Sequence, residues 1–362
     1  MKLNVLVICK LANHTLEENV LLPLLSSKRV DNIFVLRDID GDFQSDRVKY
    51  LSIGRTKGKL RHIKKVFNAL MFCRKHKIGA IVGVLNSPHA YIGRFLGKVL
   101  NIPFVYMTIA GHREFWMRGK TIENFNLKYF KNSDIITVTG NQTKNYLLRK
   151  GFNEDRIFSL PNLPNEKFIY VEKNFSSRKY DIISFSRIDL NKNLILLVKA
   201  ISRLKERYSN LKIAIAGDGD QLDNIKNSVI EYRVQENFEF LGYIKNFDDK
   251  VKLLSDSEIF ISCSRGEGFP VSLIEAMLCG CVPVVSNVGD IVDVINTGVN
   301  GYVFDDFDNE TELVDILDEV LANRDKNIYS LRENCYGIKN NVSVKNNAMI
   351  WDNIFDKIKN NG

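Results

Sequence analysis

Cys263-Ser264-Arg265-Gly266-Glu267-Gly268-Phe269-Pro270-Val271-Ser272-Leu273-Ile274-Glu275 lies between two short apolar runs in the second half of the chain. Glu258 to Ser262 before it and Val282 to Ser286 after it read as buried strands, so the stretch is the loop and helix of a βαβ unit. Pro270 suits the first helical position and Gly280 the stop, and a helix between them opens with several backbone N–H groups unpaired. Those donors favour an anion. Leu273, Ile274, Met277 and Leu278 make the buried side, whereas Ser272, Glu275 and Cys279 share another face. Glu275 is then presented beside the helix start, and Glu267 stands in the Gly-flanked loop just ahead of it. Two carboxylates bracketing an anion-attracting helix end suit a ligand with both hydroxyls and phosphate, such as a nucleotide sugar.

A second stretch belongs with the first. Ser186-Arg187-Ile188-Asp189-Leu190-Asn191-Lys192-Asn193 follows the apolar run Tyr180 to Phe185 and precedes a helix expected over Leu194 to Tyr208. Two cations five residues apart at a strand end can converge on one diphosphate, Arg187 through its planar fork and Lys192 as a point charge.

The run from Glu267 through Glu275, Ala276 and Met277, followed by Gly280-Cys281-Val282-Pro283-Val284-Val285, resembles the donor site of the retaining glycosyltransferases of family 4. The segment around Arg187 and Lys192 resembles that family's Gly-Arg-x-x-x-x-Lys signature, with Ser186 in place of glycine. The resemblance implies an α/β chain of GT-B type, two doubly wound Rossmann-like domains facing across a cleft. It also implies transfer with retention of anomeric configuration and without a bound metal or other cofactor. Gly268, Phe269, Pro270, Val271 and Ser272 then belong to the donor site with Arg187 and Lys192. Glu275 would hold ribose hydroxyls, and Glu267 the sugar hydroxyls, unless it attacks covalently. Gly217, in the turn Gly217-Asp218-Gly219-Asp220, resembles a family position packed beside the nucleotide.

The chain of 362 residues is long enough for two cores, and its 45% hydrophobic and 26% charged content is that of a globular protein. Val5 to Cys9 is too short for a signal-peptide core, so the expected compartment is the cytoplasm. The six cysteines are scattered and no disulfide framework is expected; Cys279-x-Cys281 has no histidine near it, which argues against zinc. The formal charge of +8 hides a division. Up to Lys167 there are 28 Lys and Arg against 13 Asp and Glu, and beyond it 23 against 30. Between Asp46 and Glu114 no acidic residue occurs, whereas fourteen Lys or Arg do. Such a field draws phosphates or an anionic membrane surface. Nucleic acid is not expected, since no helix-turn-helix, zinc finger or RNP-like motif accompanies the charge.

Leu3 to Cys9 opens the chain as a strand, with helical potential over His14 to Leu25. The loop between them, Lys10-Leu11-Ala12-Asn13, lacks the glycines that similar enzymes carry near the donor diphosphate, and Lys10 either supplies a side-chain contact instead or is simply solvated. Asn32 to Leu36 is the second strand. Asp38-Ile39-Asp40 has an Asp-x-Asp form but reads as a polar loop. Over Leu60 to Lys77, a helix is expected to bury Leu60, Ile63, Val66, Phe67, Leu70 and Met71, leaving Arg61, Lys64, Lys65, Arg74 and Lys75 on a basic face for solvent or lipid headgroups. Ile78 to Leu85 and Phe104 to Met107 are further strands, and each ends near a histidine, His89 and His112. Loops at carboxyl strand ends gather around the crevice of a parallel α/β sheet, so both histidines, with Glu114 as an acceptor-side carboxylate, are candidates there. The resemblance favours His112, as the residue beside the transferred sugar. Pro161-Asn162-Leu163-Pro164-Asn165 reads as a rigid linker with unpaired backbone.

The expected organisation is an acceptor-binding domain over 1–165, a nucleotide-sugar domain over 166–340, and a terminal helix over 341–362 that in similar proteins returns to the first domain. The expected activity moves a hexose-type sugar from a nucleotide diphosphate sugar, of UDP or GDP type, to a glycan or polyprenyl-diphosphate-linked acceptor. The setting is surface polysaccharide synthesis, O-antigen or capsule, at the inner face of the plasma membrane. Two other readings stay open: a nucleotide-sugar 2-epimerase of the same fold, and a non-catalytic basic protein bound to membrane or nucleic acid.

Overall fold

The computed structural model describes residues 2–52, 60–173 and 178–360, without the side chains of 52, 60–65, 86 and 87. It divides into two units, Met1–Leu163 with Val342–Gly362, and Pro164–Asn341.

The first unit is built on a parallel sheet of Leu3–Ile8 (β1), Val30–Arg37 (β2), Val48–Ser52 (β3), Ile78–Val84 (β4), Phe104–Met107 (β5), Ile135–Val138 (β6) and Ile157–Ser159 (β7). Their order across the sheet is β3-β2-β1-β4-β5-β6-β7. Strands buried on both faces read as continuous apolar runs, and alternate residues of β1 show why. Val5 and Val7 enter one core, and Leu6 and Ile8 the other. The Val344–Asn360 helix completes the first of these cores with Trp351, Ile354, Phe355 and Ile358. It is pinned there by Ser27 Oγ, which donates to Asp352 Oδ1 at 2.6 Å, and by Arg29, 2.7 Å from Asp356.

The second unit repeats the plan with Tyr180–Phe185 (β8), Ile213–Ala216 (β9), Phe238–Gly242 (β10), Ser257–Ser262 (β11), Val282–Ser286 (β12) and Tyr302–Phe304 (β13). The order is β10-β9-β8-β11-β12-β13, again parallel throughout. In each sheet the strand order reverses at one point, beside β1 and β4 in the first and beside β8 and β11 in the second. Loops leaving the carboxyl ends of such strands are free to hold a ligand.

Three expectations need correction. The Leu60–Lys75 helix is turned from the stripe read in the sequence: Ala69 and Cys73 are buried, with Val66, Leu70 and Phe72 packed beside them, while Phe67 and Met71 are 63% and 55% exposed. Ala69 and Cys73 are small, and apolarity alone did not mark them as the buried side. Leu60, Ile63, Arg61, Lys64 and Lys65 lie outside the described side chains. The linker is not unpaired, because Leu163 N–H donates to Asn19 Oδ1 at 2.7 Å and Asn347 Nδ2 donates to the Pro161 carbonyl at 2.9 Å. Among the elements not read from the sequence are the short edge strand β3 and the polar helix Arg324–Tyr336, which buries Ile328, Leu331 and Cys335.

Candidate active site

In the second unit the two stretches singled out by sequence are the two loops at the reversal point. After β8, Asp189 Oδ1 accepts from Lys192 N–H at 3.2 Å and closes a tight turn over Leu190–Lys192. Asn193, at φ +49°, then redirects the chain into the Leu194–Leu204 helix. This loop is stitched to the one after β11. Arg265 N–H donates to the Asn191 carbonyl at 2.8 Å, and Asn191 Nδ2 donates to the Gly266 carbonyl at 2.9 Å. Lys192 Nζ reaches Glu267 Oε1 at 2.5 Å, with both side chains more than four-fifths covered. Arg187 is exposed and, among the described residues, holds no side-chain partner.

The glycines allow this weave. A Cβ on Gly217, whose φ is +149°, would lie 1.8 Å from the Ser186 carbonyl oxygen. The turn after β9 therefore packs backbone to backbone against the Arg187 loop, with Ile188 N–H donating to the Asp218 carbonyl at 2.9 Å. Gly289, which sequence reasoning passed over, does the same for the other loop. At φ +62°, its absent Cβ would stand 2.4 Å from the Glu267 and Gly268 carbonyls, and Asp290 N–H donates to the Gly268 carbonyl at 2.8 Å. Gly-Asp three residues past the end of a strand was the signal available for it.

The helix beyond is Val271–Leu278, with Pro270 at its N-cap rather than inside, and no side chain caps it. Val271 and Ser272 are half-buried at its first turn, whereas the Phe269 ring is 5% exposed and turned into the core. Gly280, at φ +74°, follows its end. Glu275 keeps part of its side chain at the surface, yet burial of the carboxyl pushes its pKa up to about 7 against the pull of Lys250. Lys250 comes from the Phe247–Ser255 helix and lies 5.8 Å from the Phe185 ring, a neighbour of Glu275 that no motif announced.

In the first unit, Lys10 is exposed at the end of β1. His112 follows β5, half-buried, with its backbone N–H donating to Thr143 Oγ1 at 3.1 Å and its ring 5.3 Å from Tyr146. Two acceptor-side expectations are corrected. His89 is 4% exposed and Glu114 3%, so neither is open to a ligand. Glu114 instead folds back onto the loop that leads to His112. Its Oε1 accepts from Ile109 and Ala110 N–H at 2.6 and 2.8 Å, and its Oε2 from the Tyr106 hydroxyl at 2.9 Å. Burial pushes its pKa up to about 7, although these donors pull it down.

Two parallel sheets, ordered 3-2-1-4-5-6-7 and 3-2-1-4-5-6 and each covered by helices, define an α/β chain of GT-B fold. Solved structures agree over the whole length: a glycosyltransferase from Rickettsia africae superposes with a TM-score of 0.77 at 17% identity, covering 100% of both chains. Anabaena Alr3699/HepE, in complex with UDP-glucose, superposes with a TM-score of 0.74 at 16% identity, covering 99% of this chain and 100% of that one. Residues 165–337 match the family model described as glycosyl transferases group 1. Among curated relatives, the poly(glycerol-phosphate) alpha-glucosyltransferase of Bacillus subtilis is 28% identical over 229 residues, 63% of this chain and 32% of the relative. The phosphatidylinositol N-acetylglucosaminyltransferase gpi3 subunit of Schizosaccharomyces pombe is 26% identical over 208 residues, 56% of this chain and 44% of the relative. The chain thus spans less than half the length of either.

Proposed function

We propose that this protein is a retaining glycosyltransferase that moves a hexose-type sugar from a nucleotide diphosphate sugar to a glycan or lipid-linked acceptor. The observation that carries the reading is the stitching of the Arg187–Asn193 loop to the Cys263–Pro270 loop at the reversal point of the second sheet, which brings Lys192, Glu267 and an uncapped helix start together. The relatives named as an alpha-glucosyltransferase and an N-acetylglucosaminyltransferase, and the neighbour that holds UDP-glucose, support a hexose-type donor.

In this reading the diphosphate meets Arg187, Lys192 and the N–H groups of Val271 and Ser272, while Glu275 takes the ribose hydroxyls. Glu267 attends the sugar. As the bond from the anomeric carbon to the diphosphate breaks, the acceptor oxygen bonds that carbon on the same face and its proton passes to the leaving diphosphate oxygen. The cations stabilise the charge growing there, work that needs no metal. The acceptor is carried at an anionic membrane surface, met from the cytoplasmic side during surface polysaccharide synthesis. The test is incubation with a panel of UDP- and GDP-sugars, with and without lipid-linked acceptors, and measurement of released nucleotide. Release with no member of the panel overturns the reading.

A further inference from the structure

Three helices of the first unit, Leu60–Lys75, Tyr91–Leu100 and Lys120–Phe130, cover one face of its sheet. Ala69 and Cys73, Ile92 and Leu96, and Leu127 and Phe130 sink into the same core. The first helix packs on the second, and the second meets the third through Tyr91, whose ring lies 5.8 Å from Phe125. On its outward side each helix exposes a pair of large apolar side chains. Phe67 and Met71 are joined by Phe95 and Val99, 47% and 53% exposed, and by Ile122 and Phe125, 39% and 54% exposed. Spacings of four, four and three residues put each pair on one stripe. Exposed cations adjoin every pair: Arg74 and Lys75 a turn beyond Met71, Lys98 beside Val99, and Lys128 a turn beyond Phe125. Scattered apolar residues on a surface need no cause, whereas six on three adjoining helices with cations among them do.

We propose that this three-helix face is a membrane-insertion platform, its six apolar side chains entering the headgroup boundary of an anionic bilayer while the cations hold lipid phosphates. The occupant follows from the charge. The span from Arg47 to Arg113 carries no acid, and Glu123 on the third helix is engaged by Lys150 and Tyr146. A second copy would bring the same cations against these, while an anionic lipid surface offers acyl chains and phosphates in one plane. Among the described residues no helix is long and apolar enough to cross a membrane, in keeping with attachment from one side. The inference deepens the membrane setting proposed above and rests on it. It separates from purely electrostatic attachment because apolar burial is not screened by salt.

The experiment is flotation of the full chain with mixed phosphatidylglycerol and phosphatidylcholine vesicles at low and high salt, with no sugar donor, so that its outcome is independent of the transfer reaction. The wild type is expected to float and to keep a bound fraction at high salt. Combining Phe67→Ser, Met71→Ser, Phe95→Ser and Val99→Ser, all at exposed positions, lowers partitioning at least about tenfold and removes the salt-resistant fraction. A variant that floats as the wild type does at both salts overturns the platform. So does a wild type that fails to float and elutes as a dimer which the variant dissociates, because the face is then an interface between copies. Should the combined variant not fold, Phe95→Trp gives a second reading: its emission shifts to the blue when vesicles are added, and an unchanged spectrum overturns the proposal.

Discussion

Lys192 and Glu267 neutralise one another across the reversal point of the second sheet, with Nζ 2.5 Å from Oε1 and both side chains largely covered. Neither group is therefore spare. If the proposed reading holds, a donor diphosphate draws Lys192 from its carboxylate or shares it, and Glu267 is freed for sugar hydroxyls as that happens. A pair that exchanges partners on binding makes the loop geometry responsive to the donor.

Replacing Arg187 or Lys192 by alanine is expected to lower the transfer rate at least about a hundredfold, since one preorganised contact to a developing anion is worth roughly 3 kcal/mol. Lys192→Ala has the further cost of leaving the covered Glu267 unpaired. Steady-state rates near wild type in both variants would remove the diphosphate assignment.

Glu275→Ala is expected to raise the donor KM with little change in kcat, because ribose contacts are alike in ground and transition states, whereas Glu267→Ala lowers kcat. Burial pushes the Glu275 pKa up to about 7, so the carboxylate proposed to accept from ribose forms only as pH rises through that value. Donor affinity should climb through neutrality and flatten in Glu275→Gln. A pH profile identical in the two proteins would contradict this.

Glu114 is expected to shape stability rather than substrate binding. Its folded pKa of about 7 lies above the ordinary 4.5, so the folded state binds the extra proton. Stability is then highest below about pH 4.5 and falls as pH rises to about 7, by at most about 3 kcal/mol for this group. Glu275 adds a slope of the same sign. Urea midpoints across that range should decline less steeply in Glu114→Gln, and equal slopes would reject the assignment.

Gly289→Ala places a methyl against the Glu267 and Gly268 carbonyls in a backbone conformation that disfavours side chains. A cost of about 1–3 kcal/mol is expected, with a loss of transfer larger than the loss of folded protein. Wild-type kinetics in this variant would mean that the loop tolerates displacement.

Chelation by EDTA is expected to leave activity intact, because in the proposed reading Arg187 and Lys192 do the work a metal would do at the diphosphate. Activity lost to EDTA and restored by Mn²⁺ would return attention to Asp38 and Asp40.

The second unit was legible because its signals are local. Gly280 stops a helix, Asn191 and Lys192 lie in a turn fixed by neighbours in sequence, and strands such as Val282–Ser286 are unbroken apolar runs. The first unit hid more, since its decisive contacts join distant residues. Nothing in the spacing of Phe67 and Met71 says that Ala69 and Cys73 will face the sheet instead, for both rows repeat at helical intervals. Glu114 looked like a site residue because a carboxylate just past a strand usually is one. Only the folded loop reveals that Ile109 and Ala110 turn back to claim it.

The return of the Val344–Asn360 helix to the first unit sets an order on biosynthesis. Trp351 and Phe355 fill a core whose other walls, including Val20 and Leu24, are translated more than three hundred residues earlier. While the ribosome makes residues 164–341, the first sheet waits with one face open, and the second unit has all its strands before the first has its last helix. An apolar face left uncovered for that interval is a surface for chaperones or for aggregation. Messages truncated after residue 341 should therefore yield a second unit that folds and a first that does not.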